Sequence, residues 1–152
     1  MPTTCYAVTG RSGDEVRIYH DCRNSGGHSI SAAFVEGDGS YETVPTVSLG
    51  DLLARTGLDT VDLLKCDIEG AEYDVFLNTP TEVLRRVAAV AMELHVSPAF
   101  PPERSRNLVA HLERAGFRVE LGGAIPAAPV ECKQSLILRA RRRDASPGQG
   151  TP

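Results

Sequence analysis

The chain has 152 residues, which suits a single domain of ordinary size. Its 41% hydrophobic content is too high for a disordered protein, and its lack of Trp leaves Leu, Val, Ile and Ala to build the core. A net charge of −4 argues against a nucleic-acid binder, whose footprint would be basic.

Cys5 to Thr9 reads as a short strand, followed by a turn at Arg11-Ser12-Gly13-Asp14 and a second strand from Val16 to His20. Asp21 to His28 is polar and Gly/Ser-rich, the composition of a loop. Ser29 to Val35 reads as weakly extended. Gly37 to Ser40 turns the chain into an extended segment, Tyr41 to Val47. Ser48 can cap a helix whose inner face is Leu49, Leu52 and Leu53, with Asp51 completing a capping box and Gly57 as the stop.

Val61 to Ile68 is apolar enough to be expected as a central strand buried on both faces. A helix over Glu72–Leu77 follows, with Glu72 and Asp74 in the first turn, where the dipole favours negative charge. Pro80 to Arg86 continues helical, and Val87 to Leu94 is a second buried strand. The spacing of Leu108, Val109 and Leu112 predicts an amphipathic helix over Glu103–Ala115, stopped by Gly116. Phe117–Leu121 and Ser135–Ala140 close the pattern as strands with no helix between them. The expectation is an α/β domain over residues 1–140, with a mostly parallel sheet, helices on its faces and an antiparallel closing pair. Residues 141–152 are expected to form a disordered tail, with the basic run Arg139–Arg143 as its solvated flank.

No apolar stretch approaches the ~20 residues of a membrane span, and Met1-Pro2-Thr3-Thr4 opens no signal peptide. Cys5, Cys22, Cys66 and Cys132 form no C-x-x-C pair, so zinc is not expected and a reduced, cytoplasmic protein is.

Ligands of open α/β sheets sit beyond the carboxyl ends of the strands. Two strands end there in polar residues: Lys65-Cys66-Asp67-Ile68-Glu69-Gly70 and Met92-Glu93-Leu94-His95. Strand alternation would turn Asp67 and Glu69 to one side, and Glu93 and His95 likewise. Three readings stay open. The cluster can do general acid–base work or bind a cation. It can hold a hard divalent ion through Asp67, Glu69, Glu93 and His95. Or Asp67 and Glu69 merely cap the next turn and pair with Lys65 or an Arg. The loop Asn24 to Ser29 can wrap a ligand or serve as a plain surface connection. No G-x-G-x-x-G and no phosphate-binding loop occurs.

At Val61 to Glu72 (VDLLKCDIEGAE) the sequence resembles the FkbM methyltransferases, whose hallmark strand reads roughly D-L-L-K-I-D-V-E-G-A-E. Val44 to Leu53 resembles that family's V-x-T-V-S-L-D-x-L lead-in, Ala91 to His95 its V-x-x-E-x-H strand, and Leu112 to Phe117 its late helix and strand. Ala7 to Gly13 and Asn24 to Ser29 resemble its A-V-S-x-x-x-G and N-x-G-x-S segments. The resemblance implies a Rossmann-like fold and O-methyl transfer from S-adenosylmethionine to a hydroxyl of a small sugar or natural product. It implies Asp67, Glu69 and His95 as catalytic residues, and Glu93, Asn24 and Ser29 as cofactor contacts. It also implies a glycine-rich turn and a ribose-binding acid upstream, neither of which occurs here. The chain is therefore expected to be a piece of a longer enzyme, to be completed by a second chain, or to have lost transfer. A non-catalytic module pairing through an exposed sheet edge, and a metal-dependent hydrolase built on the acidic rim, are the alternatives.

Overall fold

A computed structural model describes residues 5–23 and 26–143. The first half forms a three-stranded sheet in the order β1-β3-β2, from β1 (Ala7–Thr9), β2 (Glu15–Tyr19) and β3 (Tyr41–Ser48). β1 lies parallel to β3, and β2 antiparallel to it. The second half forms a four-stranded sheet in the order β4-β5-β7-β6. Its strands are β4 (Leu64–Cys66), β5 (Ala89–Val96), β6 (Phe117–Leu121) and β7 (Gln134–Arg142). β4 and β5 are parallel, whereas β7 runs antiparallel to both β5 and β6. The fold is the expected α/β type, with only partial sheet parallelism.

Four helices complete the frame: α1 (Leu49–Thr56), α2 (Glu72–Asn78), α3 (Thr81–Leu84) and α4 (Pro102–Arg114). α1 begins where expected, because the Ser48 hydroxyl accepts the Asp51 N–H at 3.2 Å, and Gly57 ends it at φ 68. The reciprocal half of the capping box is replaced. Ser12 Oγ takes the Ser48 N–H at 2.8 Å, and the Asp51 carboxylate accepts from the hydroxyls of Ser12 and Ser48 instead. α4 lays Leu108 and Leu112 on the sheet, where they are fully buried with Tyr73, Phe76, Leu84, Met92, Leu94, Phe117 and Leu138. No helix among the described residues is long and apolar enough to cross a membrane.

Several sequence expectations need correction. β4 is three residues long rather than eight, with Val61 held apart in a single bridge to Val87. It is an edge strand: among the described residues only β5 pairs with it, and so Leu63 is 61% exposed and Lys65 faces outward. Ser29–Val35 is not a strand. Ser29 makes one bridge to Tyr19, and Ala32–Phe34 then forms a 3₁₀ turn that turns the Phe34 ring toward the second sheet. The basic run Arg139–Arg142 belongs to β7, paired on both sides, so ordered structure continues past residue 140. Residues 144–152 lie outside the described residues.

Candidate functional site

The site is built around the turn that follows β4. The pairing of Cys66 with Met92 brings the next residue, Asp67, beside Glu93 at the carboxyl end of β5. Two consecutive left-handed residues then reverse the chain, Glu69 at φ 52 and Gly70 at φ 98. Only glycine fits the second position, because a Cβ there would lie 2.2 Å from the Phe100 ring. At Glu69 the conformation costs a side-chain-bearing residue on the order of 1–3 kcal/mol, and residues held in this way cluster at functional sites. Several bonds hold the turn. Ser29 Oγ donates to the Glu69 carbonyl at 2.6 Å, the Ala71 N–H donates to the Ile68 carbonyl at 3.2 Å, and the Ile68 N–H donates to Glu72 Oε1 at 3.1 Å. Asp67 and Glu69 thus reach the rim through this turn, not through the strand alternation expected from sequence.

Behind the rim lies a buried acid–imidazole pair. Glu72 is 0% exposed and His95 is 1% exposed. His95 Nδ1 sits 3.0 Å from Glu72 Oε1. That oxygen already accepts the Ile68 N–H, so the imidazole is the donor in the pair. On the other side of the ring, Nε2 lies 3.5 Å from Glu69 Oε2 and 3.8 Å from Glu93 Oε1. The Tyr73 hydroxyl fixes the strand below by donating to the His95 carbonyl at 2.6 Å, and the Phe34 ring packs edge-on against the imidazole at 5.3 Å.

Burial on its own would push the pKa of His95 down. The hydrogen bond to Glu72 and the charges of Glu72 and Glu69 outweigh it against the opposing charge of Lys133, so the net pKa is raised. Lys133 caps the arrangement, with its ammonium 2.6 Å from Glu69 Oε2 and 4.2 Å from the centre of the Phe34 ring. Cys66, one residue before the rim, is no nucleophile, because burial pushes its thiol up to about 12.

A cleft of about 400 Å³ opens between the two sheets. Asp67, Glu69 and Ser29 line it, together with Tyr6, Ile30 and Ala71. Asp67 pairs loosely with Lys65 at 3.8 Å and keeps its side chain 38% exposed. His95 does not line the cleft; it stands behind Glu69. Glu93 is half-buried beside the imidazole. Asn24 lies outside the described residues. One donor atom each from Asp67, Glu93 and His95 falls within 4.8 Å of the others, close enough to meet on one divalent cation.

Sequence reasoning brought out five of the residues gathered here and missed three: Glu72, Lys133 and Phe34. Glu72 stood within the quoted motif, but an acid in a first helical turn ordinarily faces water, and nothing local marks this one as buried. Lys133 meets Glu69 from 64 positions away and carries no sequence signal.

A family model described as the methyltransferase FkbM domain matches residues 3–119, a span that takes in β1 to β5, all four helices and the rim. No curated protein and no solved structure matches the chain. With the acidic turn, its buried imidazole and the match running over most of the sequence, the chain belongs to the FkbM methyltransferase family.

Proposed function

We propose that this domain transfers a methyl group from S-adenosylmethionine to a hydroxyl of a small sugar-like or natural-product acceptor. The observation that carries the reading is the acidic rim, where Asp67 and Glu69 face a cleft of about 400 Å³ with Glu93 beside them. That donor set fits the cofactor, because carboxylates stabilise a positive charge and a sulfonium carries one. When bound, S-adenosylmethionine would supply an electrophilic methyl carbon on its cationic sulfur.

Glu69 and Glu93 hold the cationic end by charge, and Ser29 contributes beside them. Ser29 does so by anchoring the rim, since its hydroxyl is engaged on the Glu69 carbonyl. Asp67 is the base, because its carboxylate is open to the cleft whereas His95 is buried. Asp67 takes the proton of the acceptor hydroxyl, and the methyl carbon would pass to that oxygen with the C–S electron pair left on sulfur. His95 acts from the second row, holding Glu69 and Glu93 in place. The four cysteines form no disulfide, which supports a reducing, cytoplasmic setting.

Calorimetric titration of the chain with S-adenosylmethionine and with its neutral product S-adenosylhomocysteine tests this reading. Wild type is expected to favour the cation. Glu93→Gln is expected to cut that preference roughly fivefold, the effect of one charge at close range in a solvated cleft. No binding of either compound, or a preference untouched by the substitution, sinks the proposal.

A further inference from the structure

We propose that Glu72 is a positioning residue, whose buried carboxylate fixes the His95 ring so that Nε2 faces Glu69 and Glu93 and holds both carboxylates at the rim of the cleft. The inference rests on the reading of that rim as the holder of a cationic methyl donor.

An acid with no exposed surface is expensive to bury, and a helix start offers water at no such cost. Glu72 nevertheless turns inward from the first turn of α2. Its Oε1 serves two donors, the Ile68 N–H at 3.1 Å and His95 Nδ1 at 3.0 Å. One oxygen thereby ties the turn that carries Asp67 and Glu69 to the strand that carries Glu93 and His95. Its Oε2 is buried and makes no hydrogen bond with any described residue. A fully satisfied structural acid would not leave that atom bare, whereas an acid retained for its two bonds at Oε1 would.

Because Oε1 is an acceptor, the proton kept by a neutral His95 sits on Nδ1, and Nε2 is the atom presented to the rim. Once the ring takes its second proton, on Nε2, Glu69 is gripped from two sides, by the imidazolium at 3.5 Å and by Lys133 at 2.6 Å. Phe34 closes the remaining side of the ring. Without Glu72, neither the tautomer nor the tilt of the imidazole is specified, and the rim carboxylates lose the group that orients them. Orienting carboxylates behind metal-bound imidazoles have this effect, and their removal there costs about 10–100-fold in affinity or activity.

The test uses the whole chain and two readouts. Imidazole nitrogen NMR, recorded at a pH where the ring is neutral, reports which nitrogen carries the proton. Calorimetry reports the preference for S-adenosylmethionine over S-adenosylhomocysteine. The wild-type His95 signal is expected to show the proton on Nδ1. Glu72→Gln keeps an acceptor oxygen in place, so it is expected to preserve that tautomer and most of the preference. Glu72→Leu is expected to scramble the tautomer and lower the preference roughly tenfold.

A wild-type ring protonated on Nε2 overturns the proposal whatever the variants do. So does a folded Glu72→Leu protein with the Nδ1 proton and the preference intact. Should that variant fail to fold, Glu72→Gln decides, and loss of the Nδ1 proton there refutes positioning. If neither compound binds wild type, the function assigned to the rim falls, while the nitrogen spectrum still judges the role of Glu72.

Discussion

Replacing Glu72 with Gln removes one charge and almost no volume from a site with no exposed surface. The expected effect on stability follows from the charge state of His95. Its folded pKa is raised, so its pairing with Glu72 is fully present below the unfolded value of about 6.5 and is lost as pH rises through the folded value. The groups facing the ring are Glu72, Glu69, Glu93, Asp67 within 4.8 Å and, through Glu69, Lys133.

At pH 6 the substitution turns a charge-assisted bond into a neutral one while keeping its geometry. The expected loss is about 2 kcal/mol, between the ~1 kcal/mol of a neutral hydrogen bond and the 3–5 kcal/mol of deleting one member of a buried pair. Above the raised folded value, which pH 9 is chosen to exceed, the ring is neutral, and removing a lone buried charge offsets the weaker bond, so the loss is expected to approach zero. Urea titrations followed by circular dichroism at both pH values measure this. With a slope near 2 kcal/mol/M, the midpoint should fall by roughly 1 M at pH 6 and hardly move at pH 9. An equal fall at both, or a larger one at pH 9, refutes the assignment of a charged pair.

Gly70→Ala should cost about 2 kcal/mol or more and lower Tm by several degrees, because it combines a φ of 98 with a Cβ set 2.2 Å from the Phe100 ring. Phe100→Leu in the same chain should recover part of that loss, and no recovery would mean the collision is not the cause. Thiol alkylation followed by mass spectrometry should label Cys5, Cys22 and Cys132, which are exposed, and spare Cys66 until denaturant is added. Four labels on the native protein would contradict its burial.

The parts of the fold legible in the sequence are those decided locally. α4 follows from the spacing of Leu108 and Leu112, and the start of α1 from the Ser48 hydroxyl. β6 needed only its own residues. The misreadings are those decided by distant chain. Val61–Ile68 has the composition of a central strand, yet its pairing depends on what lies beside it, and only β5 does among the described residues. The rim shows the same division. Asp67, Glu69, Glu93 and His95 stand at strand ends, where the general rule for α/β sheets looks. Glu72 becomes part of the site only because two left-handed residues swing α2 inward, and no side-chain periodicity encodes that turn. Lys133 and Phe34 arrive from loops whose course local propensity does not specify.

The position of β7 bears on how this protein is made. The latest of the described strands in the sequence, β7, lies between β5 and β6, pairing with both along their lengths. While the chain is growing, those two strands have no bridge between them, and each shows a bare row of amides and carbonyls. The sheet can close only when residues 134–142 have cleared the ribosome. Until then the nascent sheet is vulnerable to capture by other growing chains, so chaperone contact should be concentrated between the emergence of β6 and that of β7. Lys133 enters with that same strand, so the grip on Glu69 is completed in the same late step.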